Sequence, residues 1–424
     1  MSARTGPSIT STLRKGATSR PSDVLDTAVR FPPFSSLPLL LVICIKPLSD
    51  AFYDYASVKY AYMAILAFTA LLATAGQLLH GGVPSDAARR TSFLALVWLI
   101  ALYFICLVGL IPSFGNPFHE AFKIISPFVF FLLVAPLADR WLIIALVVAS
   151  VLTIVINAAL LPTSFGWVYW GGVHTFRGYF YFKTDLAYAL TFSVLIYALA
   201  TRYVIGGRLA VLVLLAGVQI VLANSRLNYL TFALVVLFCA IKSGASVRNL
   251  IRYAILLGLL ALVAAVLYDP SRLLGFDTHD PEAFTQGRSL IWDRLFDSLA
   301  ANDVLQWIFG RGMFADLRLS IESFSSGGAV YDAHNEYLHL LYTQGLLGTG
   351  LYLGLWYWIF RSTRADRLPH WAHGTGIVAV LLVGLQGLTS VVSSYATKTW
   401  PLVMVFLTLR ALSSPADSLD PQRT

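Results

Sequence analysis

The run LAVLVLLAGVQIVLANSRLNYLTFALVVLFC, Leu209 to Cys239, decides how this chain is folded. Read as one helix it is roughly 46 Å long at 1.5 Å per residue, against a hydrocarbon core of about 30 Å. Its one charged residue, Arg226, would then lie deep in the bilayer, at a cost of at least about 2.5 kcal/mol. The stretch ANSR, Ala223 to Arg226, offers a cheaper solution: two short apolar helices joined by a tight hairpin, with Arg226 at an interface. The choice sets the side on which every later segment emerges.

Composition makes the bilayer the relevant solvent. Hydrophobic residues are 57% and charged residues 12%, where a soluble domain carries about 25% charged residues. About 20 apolar residues cross the core. On that rule the sequence predicts spans near 37–53, 59–79, 91–111, 120–138, 140–161, 185–204, 207–223, 226–241, 249–268, 336–360, 374–394 and 398–412. The expected fold is an all-α polytopic membrane protein of about twelve transmembrane helices. Residues 1–36 are Ser/Thr/Arg-rich and read as a disordered cytoplasmic tail. They are too long for the n-region of a cleaved signal peptide, so the first span is expected to be retained. Spans 1–9 fill 37–268, a periplasmic loop covers 269–335, spans 10–12 fill 336–412, and 413–424 is a second cytoplasmic tail. Cys44, Cys106 and Cys239 lie in apolar runs and read as small hydrophobes without disulfide or metal spacing.

Thirty Lys+Arg against 22 Asp+Glu give a net charge of +8. In a membrane protein such an excess mostly records orientation, so it does not point to nucleic acid. With the hairpin at Arg226 and the N-terminus inside, the short basic loops at 242–252 and 361–373 both face the cytoplasm. A single long helix would turn both outward. Twelve cations then fall toward the outer face: Lys46, Lys59, Lys123, Arg177, Lys183, Arg226, Arg272, Arg288, Arg294, Arg311, Arg318 and Lys398. Any one of them could snorkel or sit in solvent. Gathered on one side, they suggest an anionic ligand at the outer leaflet, such as a phosphate or pyrophosphate head group.

Two outer segments are substantial. PTSFGWVYWGGVHTFRGYFYFKTD, Pro162 to Asp185, packs aromatic residues around Arg177 and Lys183. It reads either as an interfacial aromatic belt or as a platform for sugar rings with two cations near phosphate. In the loop 269–335, GRSLIWDRLF (Gly287 to Phe296) reads as an amphipathic helix opened by Arg288, with Leu290, Ile291, Leu295 and Phe296 on its apolar face. A helix start presents free backbone N–H groups to an anion. FGRGMF (Phe309 to Phe314) and SSGG (Ser325 to Gly328) are turn signals suited to a loop that rearranges on binding. No GxxxxGK[ST] loop, HExxH helix, Asp-x-Asp pair or Gly-x-Ser-x-Gly elbow is present, so the sequence offers no ready site for ATP or a nucleotide sugar.

The loop ends in AHNEYLHLLYTQGLLG, Ala333 to Gly348, where His334 and Asn335 stand at the passage from polar to apolar sequence. With RGYFYFKTDLA (Arg177 to Ala187), NSR (Asn224 to Arg226) and GRSLIW (Gly287 to Trp292), this makes four elements in an order that resembles the O-antigen ligase and O-antigen polymerase superfamily of bacterial envelope glycosyltransferases. One departure is KTD at Lys183 to Asp185, where relatives often carry an amide.

The resemblance implies a multi-pass enzyme of the bacterial inner membrane with both termini cytoplasmic and a periplasmic active site. It implies a donor glycan on undecaprenyl pyrophosphate, an acceptor glycan, membrane lipids around the chain and other polysaccharide assembly proteins as possible partners. It implies neither cofactor nor metal. Transfer needs an acceptor hydroxyl made more nucleophilic and a leaving pyrophosphate whose growing charge is stabilised. His334 suits the first task, because its ordinary pKa of about 6.5 lets it accept a proton near neutrality. Arg226 and Arg288 suit the second, since guanidinium forks fit phosphate oxygens. Arg177 and Lys183 are candidates for substrate binding, and Asn335 and Tyr337 for orienting the sugar or the imidazole. The reading favours a polymerase of repeat units, with a ligase to lipid A-core as the alternative. A transporter or flippase of the same lipid-linked sugar belongs to another class. It should show an internal repeat and ionisable groups at mid-bilayer, whereas here no repeat is visible and the charges gather at one face.

Overall fold

The computed structural model describes residues 36–52, 55–79, 87–111, 117–170, 173–203, 207–244, 255, 258–260, 288–324, 333–363, 367–393 and 396–413. The described chain is mostly helical. In order the helices are α1 (Leu37–Cys44), α2 (Lys46–Ala51), α3 (Ala56–Leu79), α4 (Ala87–Ile105), α5 (Pro117–Val134), α6 (Arg140–Leu160), α7 (Lys183–Ala200), α8 (Gly207–Leu222), α9 (Arg226–Lys242), α10 (Arg288–Ala300), α11 (Val304–Phe309), α12 (Ala315–Phe324), α13 (Glu336–Ser362), α14 (Thr375–Gly387) and α15 (Ala396–Leu412). Four stretches are long and apolar enough to cross a membrane: Ser57–Gly76, Glu120–Leu137, Arg140–Leu160 and Lys183–Ala200. Leu94–Leu110 and Gly207–Leu222 are apolar but shorter. The ninth expected span, 249–268, falls almost wholly outside the described residues, and 269–287, including Arg272, and the SSGG turn lie wholly outside them.

Outward faces are apolar, the reverse of a soluble protein. On α3, Ile65, Phe68 and Leu72 stand exposed at helical spacing, and on α4 so do Leu94, Trp98 and Leu102. Large apolar surfaces of this kind need a lipid solvent. At the centre lies α7, with nearly every residue from Asp185 to Ala200 buried; it packs against α6, α8, α9 and α15.

The hairpin that decides the topology is present. Gln219 closes the last turn of α8 on Ala223 N–H, Asn224 turns the chain with φ of +49°, and α9 starts at Arg226. The two helices lie antiparallel: a Cβ on Gly217 would meet the Phe232 ring at 3.3 Å. Tyr229 ties the turn by donating to Val221 O at 3.1 Å.

Other expectations need correction. The first span is two helices, broken at Ile45, with Lys46 turned inward onto Asp50. A β-hairpin, Trp167–Trp170 against Val173–Phe176, interrupts the all-α fold within the aromatic segment. The eleventh expected span, α14, ends at Gly387 rather than near 394. The tenth is kinked: Gly345 has φ of +63° and ψ of −168°, which opens the backbone within α13. The carbonyls freed there are not wasted. Tyr342 O and Thr343 O accept from Arg311 N–H (2.9 Å) and Gly312 N–H (3.0 Å). The approach is so close that a Cβ on Gly310 would lie 2.4 Å from Thr343 O, and one on Gly345 2.4 Å from Gly310 N. FGRG is therefore a strap docked on α13 in this structure. The Arg311 guanidinium reinforces it through Asn302 Oδ1 (2.6 Å) and Ser298 O (2.9 Å).

Candidate functional site

One end of the bundle collects the starts of α7, α9, α13 and α15. Lys183 is the first residue of α7, Arg226 of α9 and Arg288 of α10. Lys183 is within Coulombic reach of both arginines. Three cations from three distant segments thus converge, each on a helix N-terminus whose free N–H groups add positive potential. All three are half-buried.

Other cations expected at the outer face have partners of their own. Lys123 pairs with Glu120 at 2.9 Å, Arg318 with Glu322 at 2.6 Å and Lys46 with Asp50. Lys398 is buried, 3.7 Å from Asp185. These four cations thus each have a carboxylate within 4 Å. Arg177 is not among the charges that Lys183 senses; it folds back to donate to Tyr181 O at 3.4 Å. The aromatic segment around it is partly structural. Phe176, Tyr179 and Phe180 are buried, and Tyr179 N–H is held by Asn157 Oδ1 at 3.0 Å. Phe165, Tyr169 and Tyr181 remain exposed.

His334 stands just before α13 with φ of +45°. A left-handed backbone costs an L-residue roughly 1–2 kcal/mol, so its neighbours must hold it. They do so on both sides. Ala333 N–H donates to Asp316 Oδ2 at 2.9 Å, and Ala333 O accepts from Trp292 Nε1 at 2.8 Å. Asn335 caps α13: its Oδ1 accepts from Tyr337 N–H (3.0 Å) and Leu338 N–H (3.1 Å). Glu336, buried, accepts from the backbone of Val392 (2.6 Å) and Ser393 (3.1 Å). Lys398 grips the same turn through Ser390 Oγ and Val391 O. Asp185, Lys398, this turn and Glu336 therefore form a polar bridge from the start of α7 to the residue after the His-Asn pair.

Trp292 lies one turn beyond Arg288, so a single helical turn and one hydrogen bond connect that cation to the peptide preceding His334. Beneath them Ile291, Leu295, Leu299, Ala315, Ala333 and Tyr342 form a small separate core. Leu290 and Phe296, expected on the buried face of this helix, are exposed at 39% and 55%. The buried stripe runs Ile291, Leu295, Leu299 at i, i+4, i+8.

Sequence reasoning missed Asp316 and His339. Their pair is buried, with His339 Nδ1 2.8 Å from Asp316 Oδ2. Burial pushes the Asp316 carboxyl up, but the His339 imidazole and the Ala333 N–H outweigh it and hold the group below its ordinary value. His339 is visible as a second histidine in the motif, whereas Asp316 has no local signature. Asn335 and Tyr337 prove to have structural partners: the cap just described, and a Tyr337 hydroxyl that donates to Gly384 O at 2.9 Å. Among the described residues no group of His, Cys, Asp and Glu is arranged to hold a metal ion.

The fold and this head of cationic helix starts define a class: a multi-pass helical membrane protein with three cations gathered on helix starts at one end. Residues 210–353 match the family model for O-antigen ligase, a match over part of the chain that supports the resemblance to the O-antigen ligase/polymerase superfamily. The matched stretch runs from α8 into α13 and contains Arg226, Arg288 and His334; Lys183 precedes it. No curated protein matches the chain.

Proposed function

We propose that this chain transfers a glycan from undecaprenyl pyrophosphate to a sugar hydroxyl at the periplasmic face of the inner membrane. The observation that carries the reading is the convergence of Lys183, Arg226 and Arg288 on three helix starts. A pyrophosphate leaving group gains negative charge as its bond to the sugar breaks, and preorganised cations and N–H dipoles favour that change. His334, at the mouth of α13, takes the acceptor hydroxyl proton. The product is a lengthened glycan with release of carrier pyrophosphate. Polymerisation of repeat units of an O antigen or exopolysaccharide is the first reading. Ligation to lipid A-core is the second, favoured by the description of the matching family.

Purified protein in lipid, given a lipid-linked repeat unit, should form longer glycans in the polymerase case. Given lipid A-core as well, it should attach the glycan to it in the ligase case. Neither product from either acceptor would remove the proposal. Activity should persist in EDTA, as the family resemblance implies; loss restored by Mg²⁺ or Mn²⁺ would overturn the chemistry.

The orientation is testable separately. With the three native cysteines removed, a single cysteine at 326 should react with an impermeant thiol reagent in cells whose outer membrane is permeable, and one at 246 should not. The opposite pattern would invert the topology and put the candidate site in the cytoplasm.

A further inference from the structure

We infer that Asp316 is a positioning residue that fixes the active backbone conformation of His334; the inference rests on the reading of His334 as the base. One carboxylate oxygen does two jobs. Asp316 Oδ2 takes the Ala333 N–H at 2.9 Å and His339 Nδ1 at 2.8 Å. A carboxylate only accepts, so Nδ1 carries the proton. The pair is sealed from water, Asp316 being fully buried and His339 2% exposed. Ala333 O is held in turn by Trp292.

Ala333, the residue entering His334, is thereby clamped through its N–H from α12 and through its C=O from α10. The following residue, Asn335, is clamped by its cap on α13. His334 is the one left-handed position between two fixed points. If the Ala333 N–H anchor shifts, the backbone at His334 can relax toward φ below zero, and the imidazole swings away from the acceptor. Displacement of about 1 Å at a reacting group costs on the order of 100-fold in rate. Asp316 does not touch substrate in this scheme. Its effect should therefore fall on turnover and spare donor binding, which belongs to the cations.

The test uses full-length protein in lipid nanodiscs with a lipid-linked repeat unit as donor. Turnover is normalised to protein that binds donor. Asp316→Asn keeps the shape but can no longer accept from both N–H groups through one charged oxygen. Its kcat should fall about 10- to 100-fold, with KM for the donor within about 3-fold. His339→Leu, which removes only the second N–H, should fall similarly. His339→Asn places an amide N–H where Nδ1 was and should keep kcat within about 3-fold of the parent.

A merely structural role would reduce the donor-binding fraction and leave normalised kcat intact; that result would overturn the inference. So would equal losses in His339→Asn and His339→Leu, since the imidazole itself and not its N–H would then be at work. His334→Asn separates the two levels. If it turns over normally, the reading of the base fails whatever Asp316 does. If it is dead while Asp316→Asn is normal, only the clamp fails.

Discussion

His334→Asn should be inactive in glycan transfer and yet melt at the parent temperature or above it. The two halves of this result have different physical origins. An amide cannot take a proton, so general-base assistance worth typically 10²- to 10⁴-fold in rate is lost. The backbone at 334 is left-handed, with φ of +45°. Asn tolerates that region because its short polar side chain can bond locally, whereas most L-residues pay roughly 1–2 kcal/mol for it. The substitution should therefore relieve strain. The surrounding anchors, Asp316 and Trp292 on Ala333 and the Asn335 cap, do not involve the imidazole and would survive.

Strain held at a single residue by bonds to its neighbours is a feature of sites where geometry is set by function rather than stability. Turnover and thermal unfolding of the same preparation check the prediction. Normal turnover would take His334 out of the mechanism. A large fall in melting temperature would show that the imidazole's own contacts keep the backbone left-handed, which would reverse the strain argument.

How much of this could be read in the chain depended on whether the signal was local. The hairpin at Ala223–Ser225 was legible because two large penalties, excess length and a mid-bilayer arginine, had one common remedy. The roles offered for Arg226 and Arg288 began from their places at helix starts, which a turn or cap signal marks in sequence. Lys183 was read together with Arg177 in the aromatic segment; in the structure it lies within Coulombic reach of Arg226 and Arg288. That proximity depends on how α7 and α9 pack, a tertiary fact with no sequence period. The kink at Gly345 was hidden for a similar reason. YTQGLLG continues an apolar helical pattern, and a glycine inside it is tolerated; the packing of Gly310 against it, so close that a Cβ on Gly345 would lie 2.4 Å from Gly310 N, has no signature in the sequence. The four-residue strands Trp167–Trp170 and Val173–Phe176 are too short to announce themselves among so many aromatics. Asp316 was least legible. Its partners, Ala333 and His339, are loop-separated, and an Asp in a polar segment is usually solvated. The buried pairing of Lys398 with Asp185 was obscured in the same way, and it turned an apparent ligand cation into a strut.

The remaining large effect concerns the shape of the charges. Arg226→Lys and Arg288→Lys each keep a positive charge at a helix start, yet each should cost on the order of 2–4 kcal/mol of transition-state stabilisation, or roughly 30- to 1,000-fold in rate. The guanidinium presents a planar fork that can hold two oxygens of one phosphate, while an ammonium is a point charge on a flexible stem. If position on the N-terminus and charge alone sufficed, the lysine variants would be nearly normal. Removing both guanidiniums, in Arg226→Ala with Arg288→Ala, should weaken donor binding itself, because Lys183 would face the leaving group alone. The same double variant gives a second readout without any turnover. Lys183 lies within Coulombic reach of both arginines, and an anion that binds the folded state raises its stability by mass action. Inorganic pyrophosphate should therefore raise the melting temperature of the parent and leave the double variant nearly unmoved. Unchanged donor affinity and an unchanged pyrophosphate shift in that variant would move the anion site away from the head of α9 and α10, toward the aromatic hairpin and Arg177. Lysine variants at full rate would instead keep the site in place and discard the fork.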